Sequence, residues 1–325
     1  MSTDSSAPYG STAPDIVPAT PDKAVRSGDS VGGDSVGDER SISVAFGAGG
    51  ARGISHLGVM QAFLELGFRL DHLCGISIGA VAGALCAVDS DIERVQAKAL
   101  EFVDSPEFKR HRQKMFATAP TQGSDSSTSG WLRRVKRLIS AHQKLTRAIR
   151  GSSILPAEVL KHVTDTLLPD IGIEETKLPL SIIAVDLLSG QRVELRRGSL
   201  REAVRASASI PGVFPPVPWD DKLLCDIGVF EAVPAVTARK YAKDLTVAVD
   251  ISNGITPIEG CKNILEVFNR VQCLAEYQLR HHSLSQADVV IQPSVQGRAW
   301  FEFESREGLI ATGYETAKKA IGAFV

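Results

Sequence analysis

From Ser41 onward the chain alternates short apolar runs with stretches whose apolar residues recur every three or four positions. Residues 42–46, 70–74, 180–185, 246–250 and 288–292 are the short runs, the second interrupted by Asp71 and His72. Compact apolar runs of this kind mark strands buried on both faces. Helical spacing covers residues 91–103, 156–168, 200–208, 232–242, 263–283 and about 307–324, while Leu57, Val59, Met60, Phe63, Leu64 and Leu66 place a helix after the first run. Residues 80–87 are almost all small, suiting a helix that packs close to a sheet. Lys222 to Cys225 reads as a further short strand after the turn Trp219-Asp220-Asp221. The alternation predicts an α/β protein with a mainly parallel central sheet covered on both faces.

Residues 1–40 are different material. They are rich in Ser, Gly, Pro and Asp, and Gly-Asp-Ser-Val-Gly occurs twice in tandem over residues 28–37. Too few apolar residues are present to offset ordering entropy, so a disordered tail is expected ahead of one domain over residues 41–325. The 325 residues are 43% hydrophobic with a net charge of −2, enough for a large core. Residues 106–153 depart from that balance, with eleven Lys/Arg against Glu107 and Asp125, a local +9. Within them Trp131, Leu132, Val135, Leu138 and Ile139 recur at helical spacing, with Arg133, Arg134 and Arg137 elsewhere on the wheel. Three readings stand open: a helix on an anionic membrane surface, a lid over an acyl channel, or a helix packed on its own domain. Nucleic-acid binding is not expected, because the aromatic interleaving of the usual readers is missing. Apolar runs stay below eighteen residues and no basic-then-apolar leader is present, which predicts a cytoplasmic protein, at most peripheral at the inner membrane face. Cys74, Cys86, Cys225, Cys261 and Cys273 lack metal or redox spacing and read as thiols in a reducing compartment.

Three motifs carry chemistry. Residues 42–46 run into Gly47-Ala48-Gly49-Gly50-Ala51-Arg52-Gly53. Neither the dinucleotide fingerprint nor the phosphate-binding P-loop fits this spacing, which leaves a nest of backbone amides presented to an oxyanion, with Gly49 and Gly50 as donors. Arg52 either anchors the loop, meets an anionic headgroup, or is a solvated charge at a helix start. Next comes Gly75-Ile76-Ser77-Ile78-Gly79 between a strand and a helix, the context in which a G-x-S-x-G turn exposes a nucleophilic serine. The helix that follows aims its N-terminal amides at Ser77. Third, Asp226, in Cys225-Asp226-Ile227-Gly228, sits at a strand end, where it is either a base or a turn residue. His281 and His282, the only histidines after Asp226, lie in a helical pattern, and His56 reads as structural, so no Ser-His-Asp triad is expected.

Residues 48–53, 75–79, 226–228 and the stretch Ala206-Ser207-Ala208-Ser209-Ile210-Pro211-Gly212-Val213-Phe214-Pro215-Pro216 together resemble the patatin-like phospholipases of the small bacterial kind. The resemblance spans roughly residues 41–325. It implies a three-layer α/β/α fold and a Ser77–Asp226 dyad in which the carboxylate activates the hydroxyl directly. It further implies hydrolysis of glycerolipid or related esters through an acyl-enzyme, with an oxyanion held by the amides of Gly49, Gly50 and Ile78, and neither metal nor organic cofactor. Gly47, Arg52, Gly53, Gly75, Gly79 and Gly228 complete the motifs. Two positions depart from the family pattern. Ala48 replaces a glycine, and Ile227 replaces the glycine after the aspartate. A β-branched residue at 227 excludes positive φ, so the turn must use negative φ or the dyad geometry changes. The rival expectation is therefore a catalytically silent or weakly active membrane-binding or regulatory protein of the same fold.

Overall fold

The computed structural model describes residues 40–110, 153, 155–228, 230–252, 254–255, 257–294 and 306–324. Its centre is an eight-stranded sheet: β1 (Ser41–Phe46), β2 (Arg69–Ile76), β3 (Leu180–Asp186), β4 (Arg192–Leu195), β5 (Val217–Trp219), β6 (Lys222–Cys225), β7 (Leu245–Val249) and β8 (Val289–Ile291). In space the order is β5-β6-β3-β2-β1-β7-β8, with β4 paired to β3. The stretch β3-β2-β1-β7-β8 is parallel, whereas β4 and β6 run antiparallel to β3 and β5 antiparallel to β6. The predicted strands are thus present, and β4 and β5 are added to them.

The helices are α1 (Ser55–Glu65), α2 (Ile78–Val88), α3 (Ile92–Asp104), α4 (Glu158–Leu167), α5 (Leu200–Ala208), α6 (Ala235–Tyr241), α7 (Ile264–Leu284) and α8 (Arg306–Ile321). Side chains alternate across each strand, so the sheet has two different faces. Val44, Phe46, Leu73, Val247 and Val249 belong to the large cluster beneath α1, α2 and α8. Ala45, Cys74 and Ala248 turn the other way, against Ala235 and Ala238 of α6 and Leu284 of α7. Small residues on that face let a short helix lie close. Among the described residues, side-chain caps start three helices: Asp91 on α3, Ser199 on α5 and Asn263 on α7. The outward side of α7 leaves Ile264, Phe268 and Val271 exposed. All five cysteines are free, three of them buried, and Cys261 is exposed.

Two registers decide where the motifs meet. Phe46 pairs with Gly75, so the chain leaves β1 and β2 side by side at their carboxyl ends. Ile76 pairs with Ile183, and Val185 pairs with Cys225 from the other edge of β3. Ser77 and Asp226 therefore flank β3 at the level of Ala184. Asp186 pins this corner, its carboxylate accepting the Leu223 N–H at 2.9 Å.

Candidate active site

Ser77 has φ 56° and ψ −123°, and among the described non-glycine residues only it and Asp220 have positive φ. That conformation is strained for an L-residue and persists only where the surroundings enforce it. The enforcement is visible. A Cβ on Gly79 would lie 2.2 Å from the Phe46 carbonyl oxygen, and one on Gly75 2.5 Å from the Gly79 carbonyl oxygen, so strand, turn and helix touch through backbone alone. The Ser77 N–H donates to Ser207 Oγ at 2.9 Å, and Ser207 Oγ–H donates to the Ile183 carbonyl at 2.6 Å. Ser77 is the N-cap of α2, so the Ile78 N–H has no acceptor within the helix and the positive end of the helix faces the serine.

Asp226 is almost fully buried. Its Oδ1 accepts the Gly228 N–H at 2.7 Å, and its own N–H donates to the Ser209 carbonyl at 3.0 Å. Burial pushes its carboxyl up to about 6, partly offset by hydrogen bonding from the Ser77 hydroxyl and the Gly228 amide. The carboxylate is thus a stronger base than an ordinary aspartate and keeps the charge it needs near neutrality. Ile227 has negative φ and packs with Ile76, Ile183, Val185 and Cys225 beside Ala48. The side chain that departs from glycine fills a small apolar cluster, with Asp226 beside Ser77.

The glycine turn opens into a short 3-10 helix, Gly50–Ile54, where the leading N–H groups have no acceptor within the helix. A Cβ on Gly53 would lie 2.1 Å from Ile78 Cγ1, so the turn lies directly against the elbow. Gly50, Ser77 and Ile78 share one cavity wall, while Gly49 lies behind, against Ile251. Gly47 is fixed from two sides, its N–H on the Val249 carbonyl and its carbonyl 2.9 Å from His56 Nε2. His56 is fully buried, which lowers its pKa to about 4 and keeps it neutral. Arg52 is buried rather than solvated. Its Nε–H donates to the Gly49 carbonyl at 2.9 Å, and it shares the interior with Asp250, Glu276 and Arg280. Trp131, Arg133, Arg134 and Arg137 lie outside the described residues.

From Ser77 an apolar cavity of about 190 Å³ runs along α2 past Val81, Ala82 and Leu85, closed by Phe102 and Val103 of α3, Val159 and Val163 of α4, and Ile210 and Phe214. Ile78 to Leu85 spans about 10 Å of helix at roughly 1.5 Å per residue. His281 and His282 are exposed on α7 and do not line it.

An extended apolar slot thus ends at a strained serine next to a buried carboxylate. Residues 44–239, more than half of the chain, match the patatin-like phospholipase family model. The chain belongs to the patatin-like phospholipase family. It is 31% identical over 211 residues to an uncharacterized NTE family protein of Mycobacterium tuberculosis, covering 65% of this chain and 49% of that one. It is 29% identical over 215 residues to neuropathy target esterase of Drosophila melanogaster, covering 66% of this chain and 13% of that one. The chain thus spans about half, or less, of the curated relatives it matches. Among solved structures, VipD from Legionella pneumophila is similar at a TM-score of 0.43 and 16% identity, over 89% of this chain and 68% of that one. Among the described residues no helix is long and apolar enough to cross a membrane.

Sequence reasoning passed over two residues of this patatin-like site. Ser207 holds the backbone of Ser77 and Ser209 holds that of Asp226, both from the end of α5. The signal available was the unusual helix-ending stretch that contains them.

Proposed function

We propose that this protein is a serine lipid acyl hydrolase, a phospholipase, lysophospholipase or related esterase, working through Ser77 and Asp226. The observation that carries the reading is Ser77's positive-φ backbone at the start of α2, beside the buried Asp226 and at the end of an apolar slot. The acyl chain of a glycerolipid lies in the slot. Asp226 takes the proton of the Ser77 hydroxyl as its oxygen attacks the ester carbonyl. Amides at the glycine turn and Ile78 hold the oxyanion, Gly50 and Ile78 being those on the slot wall. Asp226 then returns the proton to the departing alcohol, leaving an acyl-enzyme. Water repeats the sequence, with Asp226 again as base, and releases the fatty acid. Peripheral contact with an anionic lipid surface belongs to the same proposal. It is supported by the +9 charge of residues 106–153 and by exposed Leu187, Leu188 and Phe230, which border the segment carrying Asp226.

The test is labelling by a fluorophosphonate probe in the presence of anionic vesicles. Wild type should label and then release fatty acid from glycerolipids. Ser77→Ala and Asp226→Asn should do neither while keeping the wild-type circular dichroism spectrum. Full activity of Asp226→Asn would remove the dyad.

A further inference from the structure

A second cavity, of about 590 Å³, opens at the amino-terminal end of the parallel strands. His72 on its wall precedes Ser77 by five residues of β2, about 16 Å at roughly 3.3 Å per residue. This cavity is polar where the acyl slot is apolar, and nothing in the hydrolytic chemistry uses it.

Its floor is a fixed hydrogen-bond chain. Ser181 Oγ–H donates to Glu194 Oε1 at 2.8 Å, and His72 Nε2 lies 2.8 Å from the same Ser181 oxygen. A hydroxyl has one proton, and Ser181 spends it on Glu194, so it accepts from His72. His72 therefore carries its proton on Nε2 and is neutral, burial having lowered its pKa to about 4. Nδ1 is left as a bare acceptor, and the ring that bears it lines the cavity. The imidazole is held flat by Tyr241, stacked at 3.9 Å between ring centroids. Ser181 is fully buried with its proton committed, so the chain is a holder rather than a second nucleophile.

The rim is cationic. Lys177, Arg196 and Arg197 line the opening, and Arg196 and Arg197 form no ion pair among the described residues. Arg196 lies over the Tyr241 ring at 4.9 Å. Two carboxylates are also present, each with other partners, and Arg197 is near enough to Glu174 to help lower its pKa. Glu194 accepts from Ser181 and from the Tyr241 hydroxyl at 2.6 Å and lies 3.6 Å from Lys240, and Glu174 accepts the Gly198 N–H at 3.0 Å. Lys177 sits at the edge of ion-pair range from Asp89, 3.9 Å away. The cavity thus offers positive charge at its mouth and one fixed acceptor within.

We propose that this cavity binds a small phosphate monoester or diester carrying a free hydroxyl, with Lys177, Arg196 and Arg197 on the phosphate and His72 Nδ1 accepting the hydroxyl proton. Guanidinium groups suit the oxygens of a phosphate, and the bare nitrogen suits the hydroxyl on the ester's carbon chain.

Calorimetric titration with sn-glycerol 3-phosphate tests this on the full-length protein, both wild type and Ser77→Ala. Saturable binding is expected in both, which separates this site from the serine chemistry. Lys177→Gln and Arg197→Gln replace exposed side chains and should each weaken binding about tenfold, the scale of one lost charge-assisted hydrogen bond. His72→Phe keeps the stack on Tyr241 and should weaken glycerol 3-phosphate more than inorganic phosphate. If that variant fails to fold, the two surface variants carry the test alone. Phosphatidylglycerol vesicles that displace the ester make a lipid headgroup the ligand's source, and vesicles that do not make it a free ester. Absence of saturable binding, or binding indifferent to Lys177→Gln and Arg197→Gln, overturns the proposal.

Discussion

Asp226 is buried, and that burial is felt twice, in catalysis and in stability. Its carboxyl titrates near 6 in the fold and near 4 in an unfolded chain, so the folded state holds the proton more tightly. The stability cost of ionising it is absent below about pH 4, grows between 4 and 6, and is complete above 6, at about 3 kcal/mol. Hydrolysis, which needs the ionised form, should rise through pH 6 and level off above it, as a pH–rate profile would show. Asp226→Asn, expected to be inactive, should unfold at a higher temperature than wild type at pH 8, and the gap should close by pH 4. Ser207 gives a second prediction at this scale. Its hydroxyl is the acceptor for the strained Ser77 N–H, so Ser207→Ala should cut the rate of probe labelling by on the order of 100-fold in a folded protein, as small displacements of a nucleophile do. Equal labelling rates for the variant and wild type would show that the elbow holds itself.

At the scale of elements, the most intimate contact is the crossing of α1 and α8. A Cβ on Gly58 would lie 1.9 Å from the Ile310 carbonyl oxygen, and one on Gly313 2.1 Å from that of Ser55. Gly313→Ala gains helix propensity of about 1 kcal/mol but forces these backbones apart, so a net loss of about 2 kcal/mol is expected by urea denaturation. This crossing shows what sequence can and cannot convey. Both helices were legible from their apolar spacing, and β1, β2, β3, β7 and β8 from compact apolar runs, because burial on both faces leaves a local mark. β4, which reads Arg-Val-Glu-Leu, and β5, which reads Val-Pro-Trp, have no such mark; each is a strand because β3 or β6 offers a ladder to it. The same division holds at the site. Ser77 and its glycines announce themselves because the elbow's sterics are local. The partners of Arg52, namely Asp250, Glu276 and Arg280, come from segments some 200 residues away, so its burial could not be read from its neighbours. Ser207 was invisible in role for the same reason, its two bonds reaching back 130 and 24 residues.

Over the whole molecule the parallel strands set a direction. Apolar chemistry gathers at their carboxyl ends, around Ser77 and the slot along α2, and a polar, cation-rimmed cavity lies at the other end. The bond from Ser77 to Ser207 also has a meaning in time. A ribosome adding roughly 5–20 residues per second needs on the order of 10 s to travel from one serine to the other. Through that interval the nascent chain already has its glycine turn and Ser77, yet it lacks both Ser207 and Asp226. A hydrolase of the kind proposed would therefore stay silent through that part of its own synthesis, before α6, β7, α7, β8 and α8 are made.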